Sequence, residues 1–342
     1  MEAIDQHGAA TDLQHSLAYQ DLRPDDILNA VEALGYRCDG RFLALNSYEN
    51  RVYRVGLEDL PPIVVKFYRP GRWTDEAILE EHQFAIELAV EAEVPIVPPV
   101  VHGGTTLHHL GTFRYSIFPC RGGRSPDLDN MDLLRHLGRF VARIHLLGER
   151  RDFVHRPTIN LGSYGLASRD FLLKAGFIPA HLHEAYTVLC GHLFEVIGEC
   201  YAQAGKPKLL RLHADCHPGN ILVIDEDIHI VDLDDARMGP AVQDLWMFLS
   251  GDRIEQTPQL QELLGGYTEF RKFQARELHL IEALRTLRIM HYAAWLARRW
   301  EDPAFKIAFP WFNSSRYWEE HILALKEQLS LMQEPPLVWM PD

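Results

Sequence analysis

The sequence predicts a two-lobed α+β fold: a small antiparallel sheet with one long helix, then a larger, mainly helical lobe. Three observations predict it. Short runs of β-branched and aromatic residues crowd the first third of the 342 residues. Apolar residues recur at helical spacing through most of the remainder. A Gly- and Pro-rich stretch, CRGGRSPD at 120–127, separates the two regimes. The lobes are therefore expected at 1–119 and 120–342, in keeping with ~150 residues per domain.

Residues 1–22 are polar and aperiodic and read as a loose arm. A helix follows Pro24, with Ile27, Leu28, Val31 and Leu34 on one face and Gly35 at its end. Strand-like runs come next: FLAL at 42–45, RVYRV at 51–55 and IVVKFY at 63–68. A long helix is expected from Thr74-Asp75 to about Glu93, where Pro95, Pro98 and Pro99 stop the pattern. FRYSIF at 113–118 reads as one more strand, and His102, His108 and His109 as surface loop residues. Beyond the connector, Leu133, Leu137, Phe140, Ile144 and Leu147 share a helix face, as do Leu182, Tyr186, Leu189, Leu193 and Ile197. Two strand-like runs, NILVID at 220–225 and IHIVDL at 228–233, interrupt the helices, and 243–333 is helical again.

Lys plus Arg number 34 and Asp plus Glu 48, a formal charge of −14. Binders of bulk nucleic acid or anionic membrane usually carry the opposite sign, so neither partner is expected. The five cysteines form no C-x-x-C pair, so neither a disulfide framework nor a zinc ribbon is indicated. No apolar stretch approaches the ~18 residues that span a bilayer, and a cytoplasmic protein is expected.

The chemistry concentrates in LHADCHPGNILVIDEDIHIVDLDDARMGP at 212–240. Asn220 follows Asp215 by five residues, and Asp232 lies twelve further on. A hairpin turning at Asp225-Glu226-Asp227 would bring Asn220 and Asp232 together. One carboxylate and one amide oxygen facing the same space make a hard, oxygen-only site, suited to Mg²⁺ with substrate phosphates. Asp215 would stand just ahead of it, able to accept a proton from a hydroxyl. Asp234 and Asp235 are either helpers at the metal or part of a solvated turn. Asp244 is expected to brace this loop from a helix start, and His213 to hold its backbone. His213 and His217 are four apart, but Pro218-Gly219 forbids a zinc helix. Neither a Walker A motif nor G-x-G-x-x-G occurs.

HADCHPGNIL resembles the catalytic loop of the aminoglycoside phosphotransferase and choline kinase group, which has the protein-kinase-like fold. The resemblance implies Asp215 as catalytic base, Asn220 as a Mg²⁺ ligand, and Asp232 as the metal-binding, catalytic Asp of the D-F-G position. The chain departs from D-F-G, reading Asp232-Leu233-Asp234-Asp235, and has His217 where protein kinases carry Lys, beside the γ-phosphate. IVVKF at 63–67 looks like the strand that bears the phosphate-binding lysine, here Lys66, with Glu81 as its implied partner and Glu80 as fallback. NSYENRVYRV stands where kinases carry a Gly-rich loop; lacking Gly, it leaves backbone amides and Ser47 to meet phosphates. ALNSYENRVYRV, VVKFYRPGRW, EEHQFAIEL, SIFPCRGGR, VDLDDARMGPAVQDLW and WLARRWEDPAFKIAFPWF extend the similarity, from residue 43 to about 313, to the bacterial stress response kinase A family.

What this implies is an ATP- and Mg²⁺-dependent Ser/Thr protein kinase of a bacterial stress response, with a protein as acceptor. Two rivals remain. A small-molecule kinase of the aminoglycoside, choline or homoserine type would show a closed, acid-lined pocket beyond Asp215. A non-catalytic kinase-fold scaffold would be at odds with the intact set Lys66, Asp215, Asn220 and Asp232.

Overall fold

A computed structural model describes residue 19 and residues 21–341. Most of the expected N-terminal arm lies outside these residues. Its described part does not hang free: Tyr19 stacks on Phe113 at 6.5 Å between ring centroids and donates a hydrogen bond to the Phe67 carbonyl at 3.1 Å.

The first lobe holds α1 (Pro24–Glu32), β1 (Cys38–Ala44), β2 (Arg51–Leu57), β3 (Ile63–Phe67), α2 (Asp75–Val90), β4 (His108–Leu110) and β5 (Phe113–Pro119). The five strands form one sheet in the order β1-β2-β3-β5-β4, antiparallel at every pairing. Side chains alternate across a strand. In β3, Val65 and Phe67 enter a core shared with Ile27 and Val31 of α1. Lys66 between them must therefore face the opposite side, toward the second lobe. The expected strands and both helices are present. β4 was not foreseen, and it removes His108 from the surface into a buried position.

The connector after β5 is not a free hinge: Arg124 exchanges backbone hydrogen bonds with Val223 at 2.9 and 2.8 Å. Gly123 permits that approach. A Cβ there would lie 2.8 Å from Leu222 Cβ and 2.9 Å from the Val223 nitrogen.

The second lobe contains α3 (Met131–Gly148), a π-helical turn (Leu161–Leu166), α4 (Ala167–Ala175) and α5 (Ala180–Ala204). Two small hairpin ladders follow, β6 (Leu209–Leu212) with β9 (Arg237–Pro240), and β7 (Ile221–Ile224) with β8 (Asp227–Ile230). The chain finishes in α6 (Gln243–Trp246), α7 (Arg253–Thr268), α8 (Ile281–Arg298), α9 (Pro303–Ala308) and α10 (Ser315–Leu331). Its core runs continuously from Leu134 of α3 through Leu193 of α5 to Leu325 of α10. Among the described residues, no helix is long and apolar enough to cross a membrane.

Candidate active site

The antiparallel register Leu212↔Arg237 makes the loop after β6 and the segment before β9 leave the ladder at the same end. That places residues 213–217 beside residues 232–236. Ala214 takes a left-handed φ of 69°, a conformation costing a non-glycine residue about 1–3 kcal/mol. Asp244, wholly buried at the start of α6, holds it there. Its carboxylate accepts from the His213 amide at 2.9 Å and the Ala214 amide at 2.7 Å. Gln243 donates to the Ala214 carbonyl at 2.9 Å, and the His213 ring to the Val231 carbonyl at 3.0 Å. The bracing roles expected of Asp244 and His213 are thus present.

Asp215 projects from this braced loop. Arg288 of α8 donates to its Oδ1 at 2.5 Å, and His217 Nε2 lies 3.5 Å from Oδ2. Burial works to raise the Asp215 carboxyl, but the His217 hydrogen bond and the Arg288 guanidinium outweigh it and hold the group below the usual range. His217 Nδ1 accepts from the Gly219 amide at 2.9 Å, which leaves Nε2 as the N–H position facing Asp215.

The expected hairpin joins Asn220 to Asp232. Ile221 pairs with Ile230, and the Val231 amide donates to the Asn220 carbonyl at 3.0 Å. The Asn220 side-chain NH₂ donates to the Asp215 carbonyl at 2.9 Å, so its amide oxygen stays uncommitted. Asp232 follows with φ at 62° and its side chain 51% exposed. This pair of hard oxygen donors fits a Mg²⁺ ion, which takes few protein carboxylates and keeps waters and phosphates. Among the described residues no cluster of three or more His, Cys, Asp or Glu is placed to hold a metal by itself.

Lys66 reaches across the cleft to Asp232 Oδ1 at 2.8 Å and Asp234 Oδ1 at 3.4 Å. This corrects the expected pairing with Glu81. Glu81 has no ion pair with Lys66; its nearest cation is Arg156, 3.7 Å away. Burial pushes the Glu81 carboxyl up to about 7 despite both cations, so a charged Glu81 is a poor anchor near neutrality. Glu80, the fallback, accepts from the Val154 and His155 amides at 2.6 and 2.9 Å.

Asp234 and Asp235 do not form a solvated turn; arginines engage both carboxylates. Asp234 is buried and bonds Arg72 and the Asn50 amide group, the latter at 3.1 Å. Asp235 accepts from Arg72 at 2.7 Å and Arg237 at 2.9 Å. Burial alone would raise both carboxyls; the cations hold them down, Asp234 to about 2.

The turn holding Ser47 is pinned by its neighbours. Tyr48 packs on Phe309 at 4.8 Å, and Glu49 accepts from Trp295 at 2.5 Å and Arg299 at 2.8 Å. Ser47 is half-buried and makes no hydrogen bond among the described residues. Sequence reading did not find Arg72, Glu49 or Arg288. Arg72 lies inside the quoted RPGRW and Glu49 inside NSYEN, where nothing local marks their distant partners. Arg288 carries no local signal beyond its place among the aromatics of α8.

This arrangement of a braced carboxylate, two oxygen donors and a lysine across one cleft can bind a polyphosphate and deprotonate a hydroxyl. Comparisons with known proteins agree with it. Residues 41–281 match the model of the phosphotransferase enzyme family. Stress response kinase A of Escherichia coli (strain K12) is 45% identical over 95% of this chain and 98% of its own length. A serine/threonine protein kinase, RdoA, of Salmonella typhimurium is 43% identical over 96% of this chain and 98% of its own. Among solved structures, amicoumacin kinase hAmiN, in complex with AMP-PNP, Ca²⁺ and Ami, superposes with a TM-score of 0.70 at 16% identity, covering 97% of this chain and 98% of that one.

Proposed function

The chain belongs to the phosphotransferase enzyme family, among the stress response kinase A proteins, and from that premise we propose that it transfers the γ-phosphoryl group of ATP to a Ser or Thr hydroxyl of a protein. The observation that carries the reading is the convergence of Lys66, Asp215, Asn220 and Asp232 on one cleft. Lys66 exchanges its carboxylate partners for α- and β-phosphate oxygens, and the amides around Ser47 cover the phosphates from above. Asn220 and Asp232 would hold a Mg²⁺ ion, which when bound would supply charge neutralisation on the transferring group. Asp215, kept ionised by its neighbours, orients the acceptor hydroxyl and takes its proton. The hydroxyl oxygen then bonds to the γ-phosphorus as the bond to the bridging oxygen breaks, and ADP leaves. His217, whose Nδ1 accepts from the Gly219 amide, holds the loop.

The choice of a protein acceptor is supported by the Salmonella relative, named a serine/threonine protein kinase, and by the cavity that Arg288, the partner of Asp215, helps to line. That cavity is open, and among the described residues only one carboxylate, Glu320, lines it. It is not the closed, acid-lined pocket expected of a small-molecule kinase. The test is incubation with labelled ATP and Mg²⁺ against parallel panels of proteins, amino alcohols and aminoglycosides. Label on protein Ser or Thr is expected; label confined to a small molecule would overturn the reading.

A further inference from the structure

A cavity of about 450 Å³ lies between α8 and α10, within the usual size range of ligand sites. One stripe of α8 lines it: Arg285, Arg288, Ile289 and Tyr292, spaced i, i+3, i+4 and i+7. Tyr317 and Glu320 of α10 line the other side. Arg288 links this groove to the candidate base, because it both lines the groove and donates to Asp215.

Its charge is the reverse of the chain's. In a protein of net charge −14, the groove is lined by two guanidinium groups and one carboxylate, each with an ion-pair partner: Arg285 with Glu282, Arg288 with Asp215, and Glu320 with Arg316 at 2.7 Å. Arg285 rests over the Trp246 ring, 5.2 Å from its centroid, with Glu282 at 3.2 Å as its partner. Arg288 poses a mechanical problem of its own. It donates to Asp215 Oδ1, one of the two oxygens to which an acceptor hydroxyl could hydrogen-bond. An acceptor that brings its own carboxylate gives Arg288 a new partner and leaves Asp215 free.

We propose that this groove is the acceptor site, and that it takes an extended peptide whose Ser or Thr is flanked by acidic residues. Arg285 reads a flanking carboxylate, Arg288 is drawn from Asp215 by another, and Ile289, Tyr292 and Tyr317 pack apolar parts of the segment. The inference rests on the protein-kinase reading given above.

The test uses three peptides identical except for the residues beside one Ser: Asp/Glu, Asn/Gln and Lys. ADP release and label transfer are followed with the full chain, ATP and Mg²⁺, with an amino alcohol as a fourth acceptor. The wild type should favour the acidic over the amide peptide by about tenfold in kcat/KM, the equivalent of about 1.4 kcal/mol. Arg285→Glu should abolish or reverse that preference while leaving the KM for ATP unchanged. Arg285→Gln serves the same purpose if the first variant does not fold. Equal use of all three peptides, or a preference that survives loss of Arg285, overturns the groove assignment and leaves the kinase reading standing. Transfer to the amino alcohol and to no peptide overturns both.

Discussion

Lys66 takes its character from what surrounds it. A lysine in an apolar strand must find counter-charge, and here it finds Asp232 and Asp234 on the far lobe. Burial would lower its pKa, but Asp232 and Asp234 raise it well above the ordinary value, so the ammonium stays charged. Lys66→Ala removes a cation seen by both bound ATP and the transition state. It should raise the KM for ATP and cut kcat/KM by about 10²-fold or more in steady-state kinetics. Glu81 behaves oppositely. Its carboxyl binds a proton more readily folded, at about 7, than unfolded, at about 4.5. Its contribution to stability is therefore fully present at low pH and lost as pH rises through that window. Glu81→Gln should gain Tm relative to wild type between about pH 4.5 and 7 and hold the gain above, with the KM for ATP changed by less than about twofold. A large rise in KM would restore Glu81 as the lysine's partner.

At the scale of elements, the loop that bears Asp215 is shaped by α6 beneath it. Asp244→Ala strips the acceptor from two buried amides and frees Ala214 to leave its strained φ. Calorimetry should show a loss of about 3 kcal/mol or more, and kcat should fall further than nucleotide affinity. The connector offers a paired test. Gly123→Ala must push against Leu222 and Val223 and should lower Tm, whereas Gly122→Ala meets nothing within 4 Å and should be silent. These elements also mark how far the sequence could be read. The β7–β8 hairpin and the α2 and α5 helices were legible because their apolar periodicity is local and their ends carry Asp, Pro or Gly signals. β6 and β9 were not: four-residue buried ladders joined across the catalytic segment carry no alternation of their own. The partner of Lys66 was illegible for a related reason. It lies 166 residues away and is chosen by how the two lobes meet, not by any local pattern.

Across the whole molecule, contacts between the lobes gather charge into a dry interior. Arg69 pairs with Asp302 at 2.8 Å, Arg72 with Asp235 at 2.7 Å, and Glu49 with Arg299 at 2.8 Å. Three histidines elsewhere are buried without charge. Burial pushes His82 and His291 down to about 3 and His321 to about 4, with Lys66 adding to the effect at His82 and Arg237 at His291. An unfolded His titrates near 6.5, so below that pH the unfolded chain binds the extra protons and stability drains away. Tm should fall as pH drops from about 6.5 to 4.5, against the opposing gain from Glu81, and fall again below about 4 as Asp234 is protonated. A Tm that is flat or rising between pH 6.5 and 4.5 would mean that these histidines are not held neutral by the fold. The central claim is a division of labour within one cleft, with Asp215 acting on the acceptor and Asp232 on the metal-bound nucleotide. The most direct measurement is Mg²⁺·ATP titration calorimetry paired with label transfer for wild type, Asp215→Asn and Asp232→Asn. Asp215→Asn should bind nucleotide like wild type and lose transfer by about 10²-fold or more, while Asp232→Asn should lose nucleotide affinity itself. Equal loss of binding in both variants, or wild-type transfer by Asp215→Asn, would contradict the account.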